Sequence, residues 1–334
     1  MSRAAALASA LETVASLVIV CHDNPDPDCL ASAIALETIA RDQGVDDVTI
    51  GYGGELSHQQ NRAFVTMLDI DLEHVDAVDV DDYDCVAFVD HSRPGTTTQL
   101  DATVEPDVVV DHHPDGPVDA TFVDVRPDVG ATATLLVEYL VDLETDVTER
   151  LASALLFALH RERLDYVRGP TRREYEAALE VYPAADLEVL DQLYGSAFTP
   201  GTLDAIGRAI DTRERRGSSL AASVGVTSET DALPQAADYL LNLEGVDTVL
   251  VYGIVDDAIR LSGRSYDPRV HIGRTLEDAY GELGPAGGHH DMAGGHIELG
   301  LFADDADDDA ALLEFVRTRL TNRFFDALNL EEES

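Results

Sequence analysis

The sequence predicts an α/β chain, with a parallel-sheet N-terminal domain under a helical cover, a helical linker and a smaller C-terminal α/β domain. Three observations carry that expectation. Short β-branched runs alternate with helical patterns at 17–20, 28–43, 48–52, 58–68, 85–89 and 108–110, the rhythm of βαβ units. The stretch 131–216 reads almost wholly helical, broken at Gly169-Pro170, Pro183 and Thr199-Pro200-Gly201. After Arg215-Arg216-Gly217 strand patterns return at 219–226, 248–255 and 258–262, the last two joined as a hairpin by Asp256-Asp257. A glycine-rich loop, a strand at 296–302 and a helix at 310–328 complete the second domain.

The N-terminus, MSRAAALASALETVASLVIVC, has the superficial look of a secretion signal, but Glu12 interrupts its apolar stretch. Leu7, Leu11 and Val14 recur at helical spacing, so an amphipathic helix followed by a strand is expected there. No apolar run approaches the ~18 residues of a membrane helix. At 334 residues and 45% hydrophobic content the chain can build its core without disulfides or a structural metal. The three cysteines, Cys21, Cys29 and Cys85, show no CxxC spacing, which favours a reducing, cytoplasmic setting.

Charge is the unusual quantity. There are 65 acidic residues against 22 basic ones, a net charge of −43, and every basic residue is arginine. Such a surface repels itself at low ionic strength and is screened where the Debye length falls to about 3 Å, near 1 M salt. A salt-rich, halophile-type cytosol is the expectation, with an acidic surface that repels nucleic acid as the alternative. The acidic run 304–309 and the tail 331–334 are read as solvated surface.

The chemistry begins at His22-Asp23-Asn24-Pro25-Asp26-Pro27-Asp28, between the first strand and a helix, where open parallel sheets bind ligands. One imidazole and two carboxylates within a single proline-stiffened turn suit divalent cations, while the same residues also read as a turn with a helix N-cap. Recurrence favours the cation. Asp90 ends the strand 85–89 and Asp111-His112-His113 follow the strand 108–110, so acids and imidazoles gather at three strand ends. Carboxylates mixed with imidazole favour Mn²⁺, Fe²⁺, Zn²⁺ or Co²⁺, and a two-metal centre is predicted.

In this order the motifs resemble those of the DHH phosphoesterases, and Gly287-Gly288-His289-His290-Asp291-Met292-Ala293-Gly294 is similar to the GGGHxxAAG loop of the DHH-associated C-terminal domain. The resemblance implies a DHH catalytic domain at 1–190, a helical linker at 191–216 and a DHH-associated substrate-binding domain at 217–330. It implies that His22, Asp26 and Asp90 bind one metal and Asp28, Asp90 and His112 the other, with Mn²⁺ the leading candidate. Asp90 bridges in that scheme, and His113 serves the scissile phosphate as a hydrogen-bond donor or proton source. The family's fourth motif, a Gly-Ile-x-x-Asp-Thr run, is replaced by Ala158-Leu159-His160-Arg161-Glu162-Arg163, where Glu162 stands for the aspartate with one extra methylene and Asp165 is a weaker candidate. A loosely held second metal and a steep dependence on added Mn²⁺ follow.

Substrate contacts are expected from Arg264, which binds phosphate bidentately, from backbone N–H groups at Gly287 and Gly288, and from His289. A tight turn with close helix packing is the other reading of that glycine cluster. Ser57-His58-Gln59-Gln60-Asn61-Arg62 opens a helix either with a serine cap or with His58 or Asn61 at the cleft, in contact with a nucleotide. Manganese pyrophosphatases of the family carry a different, lysine-containing C-terminal domain, and long single-strand exonucleases carry extra domains. The compact branch remains: hydrolysis of short oligonucleotides or dinucleotides to 5′-mononucleotides, as in nanoRNases and phosphatases of 3′-phosphoadenosine 5′-phosphate. Cyclic di-AMP hydrolysis and a non-catalytic nucleotide sensor are the alternatives. Short RNA or DNA pieces are thus the expected partners, without long duplexes or membranes, and with a homodimer known among compact family members.

The charge reading has a direct test in circular dichroism against KCl. The folded signal is expected near 3 M and its loss toward about 50 mM; indifference across that range sinks the salt-adapted reading.

Overall fold

The computed structural model describes residues 2–56, 58–94, 98–113, 118–163, 170–195, 199–255, 257–300 and 310–330. The chain divides into two compact units, Met1–Ala197 and Phe198–Ser334.

In chain order the first unit contains α1 (Arg3–Leu11), β1 (Ser16–Val20), α2 (Pro27–Asp42), β2 (Asp47–Tyr52), α3 (Gln59–Met67), β3 (Glu73–His74), β4 (Cys85–Val89), β5 (Val108–Asp111) and β6 (Phe122–Val125). Helices α4 (Thr132–Asp142), α5 (Glu149–Glu162), α6 (Arg172–Val181) and α7 (Leu187–Gly195) follow. Every neighbouring pair in its sheet is parallel, in the order β3-β2-β1-β4-β5-β6. The chain runs outward one way from β1 and the other way from β4, so the carboxyl ends of those two strands form the topological switch point where such sheets bind ligands.

Strand residues alternate between two unequal cores. Leu17, Ile19, Ala87, Val89, Val108 and Val110 meet the buried faces of α1, α2, α4 and α5. Val18, Val20, Val86, Phe88 and Val109 meet, among the described residues, Val75, Val125 and side chains from the connecting segments, such as Leu100, Val104 and Val118. Both faces are therefore dry, which is why these strands read as continuous apolar runs rather than alternating ones. The edge strands β3 and β6 escape that signal, because one has two residues and the other is buried only at alternate positions.

Helix ends follow local chemistry. Asp26 caps α2, its Oδ1 accepting from the N–H groups of Asp28 (2.9 Å) and Cys29 (3.1 Å), with Pro27 in the first turn. The cap of α3 is His58, whose Nδ1 accepts from Gln60 N–H at 3.2 Å. The serine expected in that role, Ser57, lies outside the described residues. Thr171 and Glu174 form a reciprocal capping box on α6.

The second unit contains α8 (Pro200–Thr212), β7 (Glu214–Arg216), β8 (Ser219–Val226), α9 (Ala232–Leu241), β9 (Thr248–Val255), β10 (Ala258–Ser265), α10 (Ile272–Tyr280), β11 (Ala286–Gly288), β12 (Met292–Glu298) and α11 (Ala310–Ala327). Its mixed sheet has the order β11-β12-β10-β9-β8-β7, with only β8 and β9 parallel. One face packs on α8 and α9 and the other on α10 and α11. The glycine-rich stretch expected as a loop is a strand pair instead: Gly287 faces Gly294, Gly288 faces Ala293, and β12 begins at Met292 rather than at 296. Glycines here admit a neighbour, not a turn. A Cβ on Gly273 would sit 2.1 Å from the carbonyl oxygen of Gly288, and Gly273 N–H donates to His289 at 3.0 Å, so α10 is seated on the hairpin. Phe302 and Asp165 lie outside the described residues. Among the described residues no helix is long and apolar enough to cross a membrane.

Glu174 ties α6 to the start of α4. Fully buried, it accepts from Gly130 N–H (2.8 Å), Thr171 N–H (2.5 Å) and the Thr134 hydroxyl (3.3 Å). Burial opposes its charge, but those donors outweigh it and hold its carboxyl below the ordinary range. Glu174→Ala is expected to cost about 2–3 kcal/mol in urea unfolding. Because the folded pKa is depressed, the deficit of the variant should be full above roughly pH 5 and should shrink as pH falls through the folded value.

Candidate metal centre

Three strand ends deliver the site. After β1 the chain carries His22 and Asp26, and Asp28 lies in the first turn of α2. Asp90 follows β4 with φ +64°, a left-handed conformation costly for a side-chain-bearing residue, on the order of 1–3 kcal/mol. His112 and His113 follow β5, which ends at Asp111.

The two inner imidazoles are oriented by backbone carbonyls. His22 Nδ1 lies 3.0 Å from Asp23 O and His112 Nδ1 3.3 Å from Val129 O. With each Nδ1 held by a carbonyl, Nε2 is the nitrogen left to ligate a metal, as in metal-ligating histidines; without a metal, and against the opposition of burial, Cys29, Asp90 and Asp26 raise His22 far above the usual imidazole value, so its Nε2 carries a proton that a cation would displace. Those Nε2 atoms face carboxylates. His22 is 3.6 Å from Asp90, and His112 is 3.5 Å from Asp90, 3.8 Å from Asp28 and 3.9 Å from Glu162. These separations are too long for hydrogen bonds and match two atoms sharing one cation, roughly 3–4 Å apart for metal bonds near 2.1 Å. Two triplets, His22-Cys29-Asp90 and Asp90-His112-His113, have ligand atoms mutually within 4.8 Å, and they share Asp90. Cys29 is held as a thiol, burial pushing its pKa up, and its Sγ lies 3.5 Å from Val89 O.

The electrostatics ask for positive charge. Burial, then the charges of Asp90, Glu162 and Asp26, push Asp28 well above the carboxylate range. Glu162, 26% exposed at the end of α5, is pushed up to about 8 by burial and by Asp26 and Asp90. Asp90 is the exception: burial works against its charge, but His22, His112 and His113 hold it at about 2. Among the described residues no arginine pairs with Asp28 or Asp90. Buried acids faced by imidazole nitrogens at these distances fit bound divalent cations, which would take the place of the imidazole protons that balance the metal-free cluster.

His113 differs from its neighbour. Asp111, fully buried, accepts from its Nδ1 at 2.9 Å and from its backbone N–H at 2.9 Å, while the Ser92 hydroxyl donates to the other Asp111 oxygen. That bond raises His113 to about 9, so its half-exposed ring is a proton carrier at neutral pH.

Some of the residues that build this site carry no motif. Thr132 Oγ1 donates to Asp90 at 2.8 Å, and the backbone N–H groups of Thr132 and Ala133 donate to the two oxygens of Asp28, each at 2.8 Å. Asp28 thereby serves as the missing cap of α4, whose own N-cap position is Ala131. A helix start without a capping side chain is the one signal that could have pointed there. Asn61, buried, donates to Pro25 O at 3.0 Å and braces the first motif. Buried His91 stacks on Phe88, and burial lowers its pKa to about 4.

The remaining candidates are held by local contacts of their own. His58 is occupied as the α3 cap. In the second unit Arg264 is anchored, Nε to Asp238 Oδ1 at 2.9 Å and Nη1 to Gly263 O at 3.0 Å and Ser262 Oγ at 3.3 Å. Gly287 and Gly288 stand in the β11–β12 ladder, and His289 is exposed with its N–H donating to Met292 O.

Comparison with known proteins agrees with the geometry. The N-terminal domain of the DHH family matches residues 16–159 and the DHHA1 domain matches residues 217–322. The uncharacterized protein MJ1633 of Methanocaldococcus jannaschii is 35% identical over 324 residues, 96% of this chain; the chain spans 66% of that relative's length. A probable manganese-dependent inorganic pyrophosphatase of Listeria monocytogenes is 26% identical over 254 residues, 72% of this chain and 78% of that one. Among solved structures, an exopolyphosphatase-related protein from Bacteroides fragilis shares the fold, with a TM-score of 0.74 at 14% identity over 96% of this chain and 97% of that one. With both domains matched in order and the motif side chains gathered at the switch point, the chain belongs to the DHH family of phosphoesterases and joins that family's N-terminal domain to a DHHA1 domain.

Proposed function

We propose that this chain hydrolyses the phosphodiester bonds of short oligonucleotides or dinucleotides to 5′-mononucleotides, using two divalent cations, with Mn²⁺ the best match to the ligands. One observation carries the reading: imidazole Nε2 atoms and carboxylates from three strand ends and from the end of α5 face one another at 3.5–3.9 Å. The DHHA1 match to the C-terminal half favours a nucleotide substrate over pyrophosphate, whose enzymes in this family carry a different second domain.

His22, Asp26 and Asp90 are assigned to one cation and Asp28, Asp90 and His112 to the other, with Glu162 completing the second set. Asp90 lies nearest to both imidazoles and is the bridging candidate. Bound cations supply Lewis-acid stabilisation of charge on phosphoryl oxygens and a nucleophile at neutral pH. The chain's own residues do the rest. Thr132 and the start of α4 fix the carboxylates of Asp90 and Asp28, so little reorganisation is needed when charge develops. His113, protonated and steered by Asp111, gives a proton to an oxygen of the phosphate or its leaving group. Substrate contacts are assigned to Arg264, Gly287, Gly288 and His289, and to His58 through whatever reach its capping role leaves. The proposed domain limits are 1–190 for the catalytic domain, 191–216 for the linker and 217–330 for the substrate-binding domain.

Product analysis with pApA, 3′-phosphoadenosine 5′-phosphate and cyclic di-AMP, in Mn²⁺ and high salt, tests the reading. AMP from pApA is the expected product; binding of all three with turnover of none supports a sensor instead. Asp90→Asn is expected to lower kcat by roughly a thousandfold or more, several kcal/mol of lost stabilisation, with the circular dichroism spectrum retained.

Metal binding is readable without turnover. After chelation, Mn²⁺ at about a hundred times its Kd should stabilise the protein by about 2.7 kcal/mol, a rise in Tm of several degrees, and Asp90→Asn should abolish that rise. The pH dependence of the metal-free protein follows from raised acids. Asp28 and Glu162 bind protons more tightly folded than unfolded, so stability falls as pH climbs from about 4.5 toward 8. A flat or rising profile in that window contradicts the buried-carboxylate account.

A further inference from the structure

One arginine of the first unit stands beside the candidate ligands. Arg163 follows Glu162 directly and is the C-cap residue of α5, so its Cα lies about 3.8 Å from that of a proposed ligand of the second cation. Its side chain reaches the segment that leads into α4. A Cβ built on Gly130 would sit 2.7 Å from Arg163 Nε. Val129, just before that glycine, holds His112 Nδ1 through its carbonyl at 3.3 Å, and Thr132, two residues after it, donates to Asp90 at 2.8 Å. Glycine at 130 thus lets the root of the guanidinium lie against the backbone that orients two ligands.

The side chain of Arg163 makes no hydrogen bond or ion pair with a described residue, and its Nε is buried without an acceptor. Glu174, which the same Cβ on Gly130 would meet, is already engaged by three donors. The charge therefore acts on the site. Burial above all, and then His113 and Arg163, lower His112. Burial, Asp26 and Asp90 raise Glu162, and Arg163 opposes that rise. Charges rooted in a dry contact are screened less by salt than those on the open surface.

We propose that Arg163 is a resident positive charge of the second cation set: it balances Glu162 and its neighbours while the set is empty and repels the cation that enters, so the second cation binds at least tenfold more weakly than it would beside a neutral residue. The inference rests on the two-cation centre proposed above and adds a device that the ligands alone do not supply. A divalent cation carries twice the charge of the guanidinium, so the carboxylates still favour it, and repulsion weakens its binding without preventing it. Occupancy of the second set then follows free Mn²⁺ over a range in which the first set is already full. An arginine at a helix C-terminus also complements the helix dipole. That role alone changes stability and leaves metal affinity untouched, so the two are separable.

The test titrates Mn²⁺ into the chelated protein, with free Mn²⁺ read by electron paramagnetic resonance, at a KCl concentration that keeps the chain folded. Arg163→Gln and Arg163→Met remove the charge, and Arg163→Lys keeps it. Arg150→Gln removes an exposed charge from the other end of α5, about 20 Å away along the helix. Wild type is expected to bind two Mn²⁺ with separate Kd values. In Arg163→Gln and Arg163→Met the weaker Kd should tighten at least tenfold and the tighter one by less than threefold. In Arg163→Lys and Arg150→Gln both should stay within threefold of wild type. Mn²⁺ should also raise Tm further in the two neutral variants than in wild type, a readout that needs no turnover. Two Mn²⁺ bound with unchanged Kd values by the neutral variants overturn the inference and leave the two-cation centre standing. So does a weaker Kd that tightens equally in Arg163→Lys, because shape and not charge is then responsible. A single Mn²⁺ bound by wild type and by every variant overturns the two-cation centre, and the inference with it.

Discussion

Two imidazole Nε2 atoms pointed at carboxylates 3.5–3.9 Å away need positive charge among them, as protons or as metal cations, and the first unit is organised around that convergence. Parallel strands bring it about. Because the sheet order reverses between β1 and β4, their carboxyl ends open side by side, and β5 lies next to β4. Each strand exit carries an acid or an imidazole, so register places the groups before any contact between them forms. The helices then lock the arrangement from behind. Asp28 cannot retreat from the cluster, because both its oxygens are held by the first N–H groups of α4, and Asp90 cannot turn away from Thr132.

The acidic surplus makes this cluster harder to keep than in a balanced protein, and the arginines show how it is managed. Arg126 grips Asp124 and Glu138, Arg41 binds Glu37 on the next helical turn, and Arg173 meets Glu138 from a second helix. These pairs anchor edges and helix faces. None of them reaches the strand ends, where an arginine would neutralise Asp28 or Asp90 and remove the reason to bind a metal. Arginine thus serves mainly for structure, although the charge of Arg163 bears on His112 and Glu162, and acids with imidazoles build the site. His113 is the intermediate case: Asp111 and Ser92 keep it positive beside the cluster without entering it.

Much of this was legible in the sequence, for identifiable reasons. Central strands buried on both faces announce themselves as apolar runs, and β4, β8 and β9 lie where the runs do. Residues at strand exits, His22, Asp90 and His112, are legible because position along a parallel strand fixes their end of the sheet. What stayed hidden depended on tertiary partners. Nothing in Gly130-Ala131-Thr132 reveals that its cap comes from Asp28, and nothing in Gly287-Gly288 distinguishes a turn from a strand that lets α10 approach. Arg264 looked like an open phosphate grip from its neighbours in sequence, whereas Asp238, brought in by α9, engages it. The two assignments of Asp26, helix cap and metal ligand, prove compatible, since capping uses Oδ1 alone.

Glu162 decides how tightly the proposed second cation is held. It ends α5, where the helix dipole is negative and disfavours a carboxylate, and it faces His112 at 3.9 Å across a longer side chain than aspartate's. Burial and the neighbouring acids raise it to about 8, so near neutrality it carries a proton that a cation must displace. Asp90, held at about 2, gives up no proton on binding. Asp90 is therefore ready, while His22 and Asp26 of one proposed set and Asp28 and Glu162 of the other take a cation only by releasing protons, so binding at both weakens as pH falls. In that scheme pH and metal supply govern whether the proposed second site fills, and the raised carboxyl of Glu162 is the ligand on which its occupancy turns.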